Sequence, residues 1–168
     1  MLAPFTKVIK ALNSEQSPAQ LAAAISFAAI LGLTPLMSLH NLLVLFCVLF
    51  FRVNLTLFIL AWPLFATFSL LLEPVYHNIG YSILTQPDLK LAFESFYNNI
   101  IGRWSNFYYP VVLGSLLIAL PVAILGYPFF KWLVNNYRNK WKDKIDQYQI
   151  IRFIKASKVW QAYQRFSG

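Results

Sequence analysis

The side chains that could do chemistry in this 168-residue chain are few and far apart. His40 and His77 are each followed by asparagine, and Glu73 lies four residues before His77. Two imidazoles and a carboxylate form a donor set for a divalent ion. The i, i+4 spacing puts Glu73 and His77 on one helical face, but no spacing brings His40 to them. The expected roles are a polar turn group for His40 and an interfacial pair for Glu73 and His77. The single cysteine, Cys47, sits between Phe46 and Val48, surroundings that disfavour a reactive thiolate. Ser26, Ser38, Ser69 and Ser115 lie in apolar runs without a base nearby and read as small packing residues. Gly-rich phosphate loops, paired-carboxylate motifs and zinc spacings are missing from the sequence. No catalytic, cofactor-binding or metal-binding residue is assigned, and an enzyme is not expected.

The elements that would position these groups are apolar. Hydrophobic residues make up 58% of the chain and charged residues 12%, against about 25% charged in soluble domains. The stretch from Ser17 to Phe51 carries no charge, yet Thr34-Pro35 interrupts it. Ser17 is placed to cap a helix starting at Pro18, with Gln20 as the reciprocal acceptor of a capping box. That helix must stop by Thr34, because Pro35 lacks an N–H and pushes its predecessor out of the helical region. Leu21 to Leu33 spans roughly 20 Å and Leu36 to Phe51 roughly 24 Å at helical rise, both short of a hydrocarbon core about 30 Å thick.

One kinked helix, two short spans or a re-entrant hairpin would each fit, and the hairpin is favoured. Its turn would consist of Gly32, Thr34, Pro35, Ser38, His40 and Asn41, whose polar groups can satisfy broken backbone at depth. Ala22, Ala24, Ser26, Ala28 and Ala29 would let a partner helix approach closely.

The rest of the chain fits the same solvent. Residues 1–13 have Leu2, Phe5, Val8, Ile9 and Leu12 at helical spacing, an interfacial amphipathic helix. Residues 55–72 are long enough for a tilted transmembrane helix, with Pro63 as a kink and Glu73-Pro74 as its end. Residues 87–104 read as one amphipathic helix, with Leu89, Phe93, Phe96, Tyr97, Ile100 and Trp104 on one face. Residues 110–130 have aromatic girdles at both ends, the clearest transmembrane helix.

Residues 131–166 form basic tail helices. Residues 131–168 hold nine of the chain's basic side chains against Asp143 and Asp146. Lys131, Arg138, Lys140, Lys142, Lys144, Arg152, Lys155 and Lys158 are expected at lipid headgroups. Trp and Tyr among them could also suit a nucleic-acid strand, but the adjoining membrane helix favours lipid and no nucleic acid is expected. A hairpin that returns to its own side puts Lys7, Lys10, Arg52 and the tail on one face. The positive-inside rule makes that face, with both termini, cytoplasmic. No cleavable signal peptide is expected. The fold class is an all-α integral membrane protein forming a single membrane domain over 1–168. It consists of a Pro-broken hairpin (18–51), two further transmembrane helices, an interfacial helix and a basic amphipathic C-terminal helix.

The residues Asn13 to Pro18, Gly32-Leu33-Thr34-Pro35-Leu36, Leu39-His40-Asn41-Leu42-Leu43 and Arg52-Val53-Asn54-Leu55 resemble the bacterial domain of unknown function 2062 family. The resemblance is to its branch of small membrane proteins with a basic tail. It departs from the family's second half at Ala61-Trp62-Pro63, so a second hairpin is not counted. The resemblance carries no catalytic residues. It implies a bacterial inner-membrane protein encoded beside AsmA-like proteins, long bridges thought to move phospholipid across the envelope. The expected function is a non-enzymatic subunit that anchors such a bridge or supplies it with lipid. The alternative is a self-sufficient small transporter or lipid scramblase acting as a homo-oligomer.

Overall fold

The computed structural model describes residues 7–8, 11–14 and 16–141, and among them the regular elements are all helical. They are α1 (Pro18–Leu33), α2 (Leu39–Phe50), α3 (Leu55–Leu84), a 3-10 turn (Pro87–Leu89), α4 (Lys90–Tyr97), α5 (Ile100–Ser105) and α6 (Pro110–Asn136), with a π-helical turn at Tyr137–Trp141.

The local reasons for α1 are on both ends. The Gln20 N–H donates to Ser17 Oγ at 3.3 Å, and the Ser17 N–H donates to Gln20 Oε1 at 3.0 Å, a complete capping box. At the other end Thr34 has φ −109 and ψ 154, the extended region that a following proline requires.

Alanines decide where α1 goes. Ala22, Ala24, Ala28, Ala29 and Leu21 are fully buried, and Leu31 and Leu33 nearly so. A helix buried on this many sides must be central, and α1 packs against both α3 and α6, which also pack on each other. The facing surface of α6 is likewise small, with Gly114, Ser115, Ala119 and Ala123 all buried. Large apolar side chains point the other way: Leu70, Leu71, Ile124 and Leu125 are each more than two-thirds exposed. This three-helix core is small inside and bulky outside.

α2 lies at the edge of that core. It turns Asn41, Val44 and Val48 inward, a helical stripe at i, i+3 and i+7, and exposes Leu42, Leu43, Phe46, Leu49 and Phe50. The Phe51 ring stacks on Phe27 of α1 at 6.4 Å, so α2 runs back alongside α1. Val53 then joins Ala11 and Leu21 in one apolar cluster. Arg52 makes the corner in the left-handed region, at φ 50, and Asn54 Oδ1 caps α3 by accepting from the Leu57 N–H at 2.7 Å.

Three boundaries differ from the sequence expectation. α3 does not end at Glu73-Pro74 but runs on for a total of 30 residues, with Pro63 and Pro74 inside it. Beyond Pro74, Tyr76 and Gly80 are buried. A Cβ added at Gly80 would overlap the Pro110 carbonyl, and one at Gly114 would overlap the Tyr76 carbonyl. This close crossing with α6 offsets the roughly 3 kcal/mol that a proline costs inside a helix. The segment 87–104 is not one helix. It divides at Asn98 and Asn99, and α5 stops at Asn106 in the left-handed conformation at φ 58, a conformation asparagine tolerates at helix C-termini. Finally, α6 continues past residue 130 to Asn136.

α3 and α6 are the two helices long and apolar enough to cross a membrane among the described residues; α1 and α2 are apolar but shorter.

Candidate functional site

Five residues separate α1 from α2; Thr34 and Ser38 at the ends of this break are buried, while Leu36 and Met37 at its tip are exposed. The sequence supplies partners for the backbone groups there. Thr34 Oγ1 donates either to Ile30 O at 2.8 Å or to Asn41 Oδ1 at 2.9 Å. The Asn41 amide donates to Pro35 O at 2.8 Å, with Leu36 O at 3.5 Å. Ser38 Oγ donates to Pro35 O at 2.7 Å. From α3, Ser69 Oγ reaches Leu33 O at 3.1 Å. Carbonyls of Ile30, Leu33, Pro35 and Leu36 around the break are thereby paired, and Asn41 at the centre is 2% exposed. An unpaired buried carbonyl would cost about 1–3 kcal/mol, so this network is what makes a break tolerable among apolar helices.

Gly32 sets how close the break sits to α3. A Cβ there would come within 2.6 Å of Phe65 Cβ and 2.8 Å of the Trp62 carbonyl. Beside this contact lies a half-open groove of about 290 Å³, lined by the break at Leu31, Gly32, Thr34, Pro35 and Leu36. Trp62, Ala66, Ser69, Leu70, Glu73 and Tyr76 of α3 and Val111 of α6 complete its wall. Its lining is mostly apolar, with Glu73 as its one charged side chain.

The residues assigned to the turn from sequence therefore divide. Thr34, Pro35, Ser38 and Asn41 form one hydrogen-bonded unit, and Gly32 forms the contact with α3. His40 points elsewhere, its ring stacked on Phe107 at 6.3 Å. Phe107 stacks on Phe96 at 6.1 Å, and Tyr97 meets the Tyr108 ring at 6.1 Å. Burial among these rings pushes the Tyr97 phenol above its ordinary pKa. Asn106 Nδ2 donates to Met37 O at 3.4 Å, tying this aromatic layer to the turn.

His40, His77 and Glu73 do not form a metal site: among the described residues no three His, Cys, Asp or Glu side chains converge. His77 stacks on Tyr81 at 6.0 Å. Cys47 is a half-buried free thiol. Ala22, Ala24, Ser26, Ala28 and Ala29 are all in the buried part of α1.

The expected headgroup contacts are only partly within the described residues. Lys131 is exposed on α6. Arg138 has a different job from the one expected, because its Nε donates to Leu12 O at 2.9 Å and its Nη2 to Ser14 O at 2.8 Å. It closes the C-terminal end of the N-terminal segment instead of facing outward. The Lys140 side chain and Lys142, Lys144, Arg152, Lys155 and Lys158 lie outside the described set, as does most of the interfacial helix expected at 1–13.

Sequence reasoning missed the Ser69 bond, the Gly80–Gly114 crossing and the groove at Glu73. The isolated serine and glycines in apolar runs were the available signals, but their partners are distant in sequence.

A family model described as an uncharacterized protein conserved in bacteria, DUF2062, matches residues 4–142. No curated protein and no solved structure matches the chain.

Proposed function

The chain belongs to the DUF2062 family, and from that premise we propose that it is a non-enzymatic subunit of the bacterial inner membrane. Its role is to anchor an AsmA-like bridge-type lipid-transfer protein or to supply it with lipid. The observation that carries this reading is the internally paired helix break beside a half-open apolar groove. Backbone broken among lipid-facing helices is tolerated where protein satisfies it, and such breaks line paths for membrane-borne substrates.

The outward apolar surface of α2, α3 and α6 supports a lipid solvent, since a soluble protein rarely exposes a contiguous patch beyond about 300–600 Å². In that setting α3 and α6 cross, and α1 and α2 form a hairpin whose turn, beside Ser69 and Glu73 of α3, reaches toward the far leaflet and returns. Both termini and Arg52 lie on the cytoplasmic face, following the distribution of basic residues. The bridge as partner rests on the family resemblance of residues 13–55 and not on a contact surface.

Purification in mild detergent from the native membrane tests the proposal. A large periplasmic AsmA-like protein is expected to come with the chain. Recovery of a lone monomer contradicts it. Pure protein that moves phospholipid between leaflets of liposomes would instead favour the homo-oligomeric scramblase, for which a groove open to lipid on one chain is the supporting feature.

A further inference from the structure

We infer that the groove between the helix break and α3 holds one acyl chain of an amine-headed phospholipid, phosphatidylethanolamine, with Glu73 pairing its ammonium group. The inference rests on the membrane reading above and names the ligand of that same site.

Charge complementarity selects the occupant. Glu73 is the only acidic residue between Gln16 and Pro87, and it has no ion-pair or hydrogen-bond partner among the described residues. A carboxylate on the wall of an apolar groove attracts a cation carried by an apolar molecule and repels an anionic headgroup. Ser69 and Tyr76 lie on the same wall, with the Ser69 hydroxyl already donating to Leu33 O.

Position agrees with a lipid standing upright in one leaflet. Glu73 lies 18 residues along α3 from Leu55, about 27 Å at 1.5 Å per residue. With Arg52 at one interface, that is close to the opposite boundary of a core about 30 Å thick, where headgroups begin. From Glu73 the lining runs inward through Leu70, Ala66 and Trp62. Those 11 residues cover about 16 Å, or about half of the hydrocarbon core, the depth of one leaflet's chains. A volume of about 290 Å³ is at the lower end of ligand-sized sites; it takes one chain and leaves the second in the bilayer.

Native mass spectrometry of the full chain, with phosphatidylethanolamine or phosphatidylglycerol of identical chains added to the micelles, tests this directly. The wild type is expected to retain the ethanolamine lipid about fivefold more strongly, the scale of one partly exposed ion pair. E73Q, nearly isosteric, should erase the preference while leaving the thermal midpoint in place, and E73K should reverse it. Equal retention of both lipids by the wild type, an unchanged preference in E73Q, or a lipid-free dimer with the groove covered by a second copy would each overturn the inference. None of these readouts involves the bridge partner. Co-purification with that partner can therefore succeed where the lipid assignment fails, and the reverse.

Discussion

Removing the Asn41 side chain is the sharpest perturbation of the helix break. Asn41 bonds Pro35 O at 2.8 Å and accepts from Thr34 Oγ1 at 2.9 Å, while almost wholly buried. In Asn41→Leu both bonds go, but the freed partners differ. Thr34 Oγ1 keeps Ile30 O, and Pro35 O keeps Ser38 Oγ. No group is left without any partner, so the full penalty for a buried orphan does not apply. Two bonds at about 1 kcal/mol each give about 2 kcal/mol, and membrane-protein cycles, averaging about 0.6 kcal/mol per bond, give about 1.2 kcal/mol. The expected loss is therefore about 1–2 kcal/mol, read from reversible unfolding in mixed micelles. Thr34→Val tests whether the pair acts together, because a double-mutant cycle isolates the shared bond. A coupling of about 0.5–1.5 kcal/mol is expected. A coupling of zero, or Asn41→Leu as stable as the wild type, would refute the idea that side chains sustain the break.

Two more outcomes follow from the packing. Gly80→Ala and Gly114→Ala place a methyl against the Pro110 and Tyr76 carbonyls, and rigid overpacking should cost about 1–3 kcal/mol each. Gly126→Ala meets the outer atoms of the Phe130 ring at 2.9 Å, which can swing away, so its thermal midpoint should change far less. Arg138→Ala removes two charge-assisted bonds to Leu12 O and Ser14 O; backbone amides around residues 11–14 should exchange with solvent about tenfold faster or more. Arg138→Lys should rescue this only in part, since an ammonium lacks the fork that reaches both carbonyls.

Much of the first half of the chain was readable because its signals are local. The Ser17-Pro18-x-Gln20 start and the Thr34-Pro35 stop each act within four residues, and both ends of α1 lie where those rules put them. Pro74 obeys the same rule locally, yet α3 passes through it, because Tyr76 and Gly80 meet a partner helix 30 or more residues away. The Asn98-Asn99 division failed for the opposite reason. An apolar stripe from Leu89 to Trp104 remains in phase across a short break, so periodicity alone reads it as continuous. Charge alone places Arg138 among headgroups, whereas its carbonyl partners belong to the other end of the chain.

The candidate site was legible as residue types but not as an arrangement. Four of its six turn residues act as a unit, and the fifth and sixth, Gly32 and His40, serve two different neighbours. Helical spacing pairs Glu73 with His77, whereas the fold gives it a groove.

Sidedness tests the account most directly. In a Cys47→Ala background, single cysteines at Lys7, Arg52 and Ser95, all exposed in the structure, can be probed with a membrane-impermeant thiol reagent in oriented vesicles. The chain that turns at Thr34 and returns predicts Lys7→Cys and Arg52→Cys labelled from the cytoplasmic face and Ser95→Cys from the other. Labelling of positions 7 and 52 from opposite faces would contradict it.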